Sequence, residues 1–176
     1  MPLFEPYAPA TRSTVDREVG IRSARPEDAA AVDAIARTRG EVAPDLVVRL
    51  ESWIRDPDRL VVVAERDVRV VGWAMLARRV GYDDAPDGWY VSALTVHPDW
   101  RRRRIGDRLL TELLAWPRAS GSAVRSVVNA GNLPSLDLHR RHGFVEVGRA
   151  ATFAGITFVG GVGVLLAVER GSRDLS

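Results

Sequence analysis

The stretch Leu94-Thr95-Val96-His97-Pro98-Asp99-Trp100-Arg101-Arg102-Arg103-Arg104-Ile105-Gly106-Asp107-Arg108-Leu109-Leu110 holds a junction from strand to helix that sets the fold. A β-rich run from Trp89 ends at Val96, and Pro98 breaks it. From Arg104 to Trp116 the leucines 109, 110, 113 and 114 form an apolar helical stripe, which Pro117 stops. Between strand and helix stand Arg101, Arg102, Arg103 and Arg104. A helix N-terminus carries unpaired N–H groups and a partial positive charge. Cations placed there repel one another and the helix dipole, so the arrangement is favourable mainly when an anion occupies the turn. Backbone amides and guanidiniums at a helix start suit a pyrophosphate. Gly106 would let a ligand approach the helix backbone closely. The plainer alternative is solvated surface charge in an arginine-rich protein.

Working outward, residues 89–96 form a strand preceded by a loop, residues 81–88, that contains Asp83, Asp84, Pro86 and Asp87. Before it, residues 60–66 and 70–80 read as a β-hairpin turning at Asp67. Residues 18–23 form a first strand. Pro26, Glu27 and Asp28 open a helix that Gly40 stops, and a second helix runs over residues 44–55. After the arginine turn come a helix at 104–116, a strand at 124–128, a short helix at 134–142 ended by Gly143, and two last strands at 144–153 and 158–170. Gly160, Gly161 and Gly163 mark bulges or close approaches. The order β-α-α-β-β-β-α-β-α-β-β predicts a mixed α/β layer fold. Residues 18–171 form one domain, with an extended arm at 1–17 and a tail at 172–176.

The chain of 176 residues is 46% apolar and 27% charged, as in an ordinary soluble domain. It has no cysteine, which excludes disulfides, cysteine-ligated zinc and a cysteinyl acyl-enzyme. His97, His139 and His142 lack the spacing of a closed metal site, so no metal is expected. All 25 basic residues are arginine, so no lysine serves as base or nucleophile. A net charge of +2, with no wider basic face around the arginine run, argues against nucleic acid. No apolar run reaches the ~18 residues of a membrane span. The first twenty residues hold no compact apolar stretch, so a cytoplasmic protein is expected.

The arginine turn resembles the phosphate loop of the GNAT superfamily of acetyl-CoA-dependent N-acetyltransferases. That loop follows a strand with Arg or Gln, two residues, Gly, one residue, then Gly or Ala. Arg101 matches the first position and Gly106 the last; Arg104 stands where the family usually has glycine. Downstream, Asn132, Ser135, Leu138, Gly143 and Phe144 resemble the family's second cofactor motif, with His139 in the usual tyrosine position. Without the motif, Asn132 reads as a helix N-cap. The resemblance covers roughly residues 18–170. It implies a six- to seven-stranded mixed sheet flanked by about four helices and splayed between the fourth and fifth strands.

The resemblance further implies acetyl-CoA as cosubstrate, held by Leu94, Val96, the four arginines, Gly106, Asp107, Asn132, Ser135 and His139. The pantetheine arm would pair with Leu94 and Val96 like an added strand, with the Val96 N–H near the thioester carbonyl. His139 would stand where the family has its general acid, and an imidazolium could donate a proton there; the alternative is a packing role. The family's usual glutamate on this strand corresponds to Ser92, which is no base unaided. Glu41, Asp83, Asp84 and His97 are the candidate bases, with Glu41 preferred because the connection between the first two helices borders the acceptor site in this family. Tyr82, Asp83, Tyr90, Ser92 and Glu41 would frame an amine of a small molecule, peptide or protein, since carboxylates and aromatics suit a cation. A non-catalytic acyl-CoA-binding domain on the same fold is the alternative. The apolar, glycine-rich last strand leaves a homodimer open.

Overall fold

The computed structural model describes residues 15–119, 121–158 and 160–169. Four helices, α1 (Ala29–Arg37), α2 (Leu46–Arg55), α3 (Ile105–Ala115) and α4 (Leu133–Arg141), flank one seven-stranded sheet. Its strands are β1 (Gly20–Ser23), β2 (Arg59–Arg66), β3 (Arg69–Arg79), β4 (Gly88–Val96), β5 (Val124–Asn129), β6 (Val145–Ala150) and β9 (Gly163–Val168), and a separate ribbon pairs β7 (Thr152–Phe153) with β8 (Ile156–Thr157). The sheet order is β1-β2-β3-β4-β5-β9-β6, with β4 and β5 parallel and every other neighbour antiparallel. A parallel pair needs a crossover, and α3 lies in the one between β4 and β5.

Both faces of the sheet are covered, so the central strands are continuous apolar runs rather than alternating ones. On β2, Val61 and Val63 join a core with Val32, Ile35, Leu50, Trp73 and Met75 under α1 and α2. Val62 and Ala64 turn to the other face, where Ile105, Leu109, Leu110 and Leu113 of α3 meet Leu76, Val124 and Leu166. A third cluster joins Ala85, Tyr90, Phe153, Ala154 and Leu165 beside the β7–β8 ribbon.

Three expectations are corrected. The run 144–153 is not one strand: β6 ends at Ala150, and β7 pairs with β8 instead of the sheet. The cause lies at Ala154 and Gly155, whose φ values of 49° and 73° make the left-handed two-residue turn that favours a tight hairpin. The last strand is β9, Gly163–Val168, shorter than the expected run 158–170, and it lies between β5 and β6. The second helix starts at Leu46, two residues after Pro44. Gly163 does mark a close approach, since a Cβ there would lie 2.3 Å from the Phe158 ring. Of the arm, Asp16 is tied down: its carboxylate accepts from Arg66 at 3.1 Å and from Arg103 at 3.2 Å, and its carbonyl from Arg108. Residues 1–14 and the tail lie outside the described residues.

Among the described residues Asp28 is the buried carboxylate, and it fixes α1 against the sheet. Arg22 on β1 grips it with two bonds of 2.7 and 2.9 Å, and the Arg25 N–H adds a third. The Arg22 guanidinium therefore holds the Asp28 carboxyl below the usual carboxylate range. Asp28→Asn is expected to cost about 2 kcal/mol at pH 7, read by urea unfolding. Because the folded value is depressed, this contribution is present at neutral pH and disappears on acidification below about 4.

Candidate functional site

The site is organised by the way β4 leaves β5. Parallel pairing joins Trp89, Tyr90 and Val91 to Val124, Arg125 and Ser126, and stops there. At that point β4 carries a bulge: Met75 faces Ala93 and Leu76 faces Val91, leaving Ser92 as the extra residue. A bulge bends its strand and sharpens the local twist, which accounts for the divergence. The Ser92 hydroxyl donates to Tyr90 O and accepts from Arg79 Nε, both at 3.3 Å.

Past the bulge one edge of β4 is open. The His97 N–H donates to Val71 O on β3. By the alternation of an antiparallel ladder, Thr95 then faces β3, and the N–H and C=O groups of Leu94 and Val96 point to the other edge. Two arginines meet the carbonyls there: Arg39 Nη1 donates to Leu94 O and Arg101 Nε to Val96 O, each at 3.3 Å. An extended ligand with amide groups fits such an edge.

The edge runs directly into the arginine turn. His97 to Trp100 make a short 3-10 turn capped by the His97 ring, which accepts from the Asp99 N–H. Arg102 and Arg104 have φ of 60° and 58°, while Arg103 between them does not. Alternation of left- and right-handed residues turns successive N–H groups inward and makes an anion-binding nest, here at the N-terminus of an eleven-residue helix. Arg104 keeps the left-handed geometry of the usual glycine despite its side chain. Arg103 is directed elsewhere, against Asp16 and over the Trp100 ring at 4.7 Å.

Several expected cofactor residues have structural roles. Asp107 pairs with Arg141 at 3.2 Å and lies 3.5 Å from the His142 ring, tying α3 to α4. A Cβ on Gly106 would sit 3.5 Å from Leu138 and 3.7 Å from Leu94, so its missing side chain serves helix packing. Asn132 caps α4, its Oδ1 accepting from the Ser135 N–H at 3.3 Å.

His139 differs most from expectation. It is buried, and burial pushes its pKa down to about 4, with a smaller contribution from His142. At neutral pH the ring is uncharged. Its Nδ1 lies 2.8 Å from Ser135 O, a contact that requires the proton on Nδ1. Nε2 then holds a lone pair and has no hydrogen-bond partner among the described residues. Phe144 packs edge-on at 4.9 Å. The imidazolium donor suggested by the sequence is therefore corrected: in this apolar pocket the charged form is too costly.

The acceptor-side residues are scattered more widely. Glu41 is exposed on the α1–α2 connection, and Asp83 is exposed in the 81–88 loop. Tyr82, 40% exposed, packs against the Gly155 turn. Tyr90 is buried, with its hydroxyl donating to Pro86 O at 2.6 Å. Asp84 accepts from the Ala154 N–H and Asp87 from the Gly81 N–H, each at 2.8 Å. These acids organise the loop and its contact with β7–β8. Sequence reading missed Arg39 and Asp16, which no motif contains.

The left-handed Arg104 carries strain of about 1 kcal/mol. Arg104→Gly should raise Tm by about 2–4 °C in a thermal melt; a lower Tm would show that the arginine side chain stabilises the turn.

The acetyltransferase (GNAT) family model matches residues 29–144. No curated protein matches this chain. A ribosomal-protein-alanine N-acetyltransferase from Brucella melitensis is 28% identical, with a TM-score of 0.68 over 85% of this chain and 99% of that one. The structure of yncA from Salmonella typhimurium, solved with its cofactor acetyl-CoA, is 18% identical, with a TM-score of 0.71 over 90% and 97% of the two chains. An N-acetyltransferase from Staphylococcus aureus is 19% identical, with a TM-score of 0.70 over 86% and 98%. With the family model spanning well over half its length, the chain belongs to the acetyltransferase (GNAT) family.

Proposed function

We propose that this protein transfers the acetyl group of acetyl-CoA directly to a primary amine of a small molecule, peptide or protein. The observation that carries this reading is the open β4 edge at Leu94 and Val96, which leads without interruption into the nest at Arg102 and Arg104. An amide-bearing arm ending in a pyrophosphate matches both parts. Family membership supports the same cosubstrate.

Acetyl-CoA supplies the activated acyl group as a thioester. The chain supplies binding and orientation. The N–H groups of Leu94 and Val96 offer strand-like hydrogen bonds, and the arginines on the two carbonyls yield to the pantetheine amides. The turn amides, with Arg101 and Arg102, receive phosphate. The Val96 N–H polarises the acyl carbonyl, an effect worth ~3–4 kcal/mol where one such donor is lost. Neutral His139 shapes the gap and keeps water out. Glu41, on the same connection as Arg39, is the carboxylate available to take the amine's proton. The name of the 28%-identical Brucella protein points to an alanine of a ribosomal protein, which makes a peptide amine one acceptor to try.

Release of free thiol from acetyl-CoA, followed over a panel of amines and N-terminal peptides, tests the reading. Turnover on at least one amine supports it. A rise in Tm with acetyl-CoA and no turnover would favour a non-catalytic acyl-CoA-binding domain, a reading to which Ser92 and the neutral His139 lend some weight. His139→Phe should lower kcat by less than tenfold and leave the profile between pH 6 and 8 unchanged. A hundredfold loss together with a vanished pH limb would restore the acid role.

A further inference from the structure

The arginine turn has an anchor outside itself. Asp16 lies on the lead-in to β1, and its side chain is 13% exposed. Its carboxylate accepts from Arg66 at the end of β2 at 3.1 Å and from Arg103 in the turn at 3.2 Å. Its carbonyl accepts from Arg108 on α3 at 3.2 Å. Arginines from β2, the turn and α3 thus converge on one residue. The chain around Asp16 is itself fixed, since Val19 is buried in the α3 core and Gly20 pairs with Glu65 of β2.

Within the turn, Arg103 differs from its neighbours. Arg102 and Arg104 are left-handed, with φ of 60° and 58°, and both are exposed. Arg103, between them, is partly buried. Its guanidinium lies over the Trp100 ring at 4.7 Å and donates to Asp99 O at 3.5 Å. Those two partners belong to the turn and move with it. Among the described residues, Asp16 is the polar partner that ties the Arg103 side chain to the rest of the fold. A left-handed residue other than glycine is strained and persists only where its surroundings over-determine it. Two such residues flank Arg103, and fixing the residue between them restricts both.

We propose that Asp16 is a positioning residue for the cosubstrate phosphates: it clamps Arg103 and so holds the nest at Arg102 and Arg104 in the conformation that receives them. This rests on the acetyl-CoA reading above. The clamp compensates for Arg104, which adopts a glycine-like conformation with a side chain attached. When the clamp is released, Arg102 and Arg104 relax out of the left-handed region. A ligand then binds only the fraction of molecules that re-form the nest, and its affinity falls. Charge alone gives the opposite result, because removing a carboxylate beside several arginines makes the turn more attractive to an anion. An ion pair that only stabilises the fold gives a third result, a lower Tm with unchanged affinity. The sign of the affinity change separates the three.

The test is calorimetric Kd measurement on the full chain for acetyl-CoA and for 3′-phospho-ADP, the phosphate-bearing half of CoA alone. It uses wild type, Asp16→Asn, Asp16→Glu and Arg103→Met, with the Tm of each. Asp16→Asn should weaken both ligands about tenfold, the scale of one strained residue released. Asp16→Glu should keep most of the affinity. Arg103→Met, which keeps a stem over Trp100 but cannot pair with Asp16, should weaken both ligands by a similar factor. The double variant should bind no more weakly than either single one. In an Arg104→Gly background the left-handed position is unstrained, and the loss caused by Asp16→Asn should shrink to about threefold or less. Unchanged or tighter binding in Asp16→Asn overturns the proposal, as does a loss undiminished in the Arg104→Gly background. Weaker binding in Arg103→Met alone overturns it too, by assigning that guanidinium directly to phosphate. Unchanged binding in Arg103→Met overturns it even where Asp16→Asn does not fold. A wild type that binds neither ligand overturns the acetyl-CoA reading, and the positioning role with it.

Discussion

One extra residue in β4 governs the rest of the site. A regular strand would continue its parallel pairing with β5 beyond Val91, and the main chain of Leu94 and Val96 would be used within the sheet. The bulge at Ser92 turns β4 away. Polar backbone groups are left facing a gap within the sheet, and such groups need partners. The protein covers the carbonyls with arginine side chains, which a ligand can displace at little cost because guanidiniums at a surface are readily rehydrated. The same strand end then enters the left-handed turn at Arg102 and Arg104, so an extended region and an anion-binding region lie in line.

Charge is distributed around this gap with a consistent logic. Arginines with a structural task are matched to acids: Arg22 to Asp28 under α1, Arg141 to Asp107 between α3 and α4, Arg103 and Arg66 to Asp16. Among the described residues Arg39 and Arg79, which border the gap on the α1–α2 side, bond to uncharged oxygens, as Arg55 and Arg125 do elsewhere on the surface. The absence of lysine sharpens the contrast, because every cation of the side chains is a planar, permanently charged guanidinium suited to carboxylate and phosphate. Proton chemistry is correspondingly sparse. His139 is held neutral by its apolar surroundings, and Ser92 on β4 carries no carboxylate.

Much of the fold could be read in advance because its signals are local. The leucine stripe of α3, the stop at Pro117, the hairpin turning at Asp67 and the C-terminal Gly143 each follow from residue type and spacing. The arginine turn was legible for the same reason, since a strand, a charged turn and a helix are adjacent in sequence. What escaped notice depends on contacts between distant segments. The insertion of β9 between β5 and β6 is a tertiary choice, and an Ala154-Gly155 turn gives a weaker signal than Asn-Gly. A histidine has no fixed charge until its burial is known. Arg39 looked like one more surface arginine; only its position over β4, 55 residues away in sequence, distinguishes it.

The central claim is that the open edge of β4 is the binding edge for acetyl-CoA. Amide hydrogen exchange at Leu94 and Val96, with and without acetyl-CoA, tests it most directly. The account predicts that these two amides become protected when acetyl-CoA is added, while those of β2, already paired within the sheet, do not change. Exchange at Leu94 and Val96 that is indifferent to saturating acetyl-CoA would contradict it.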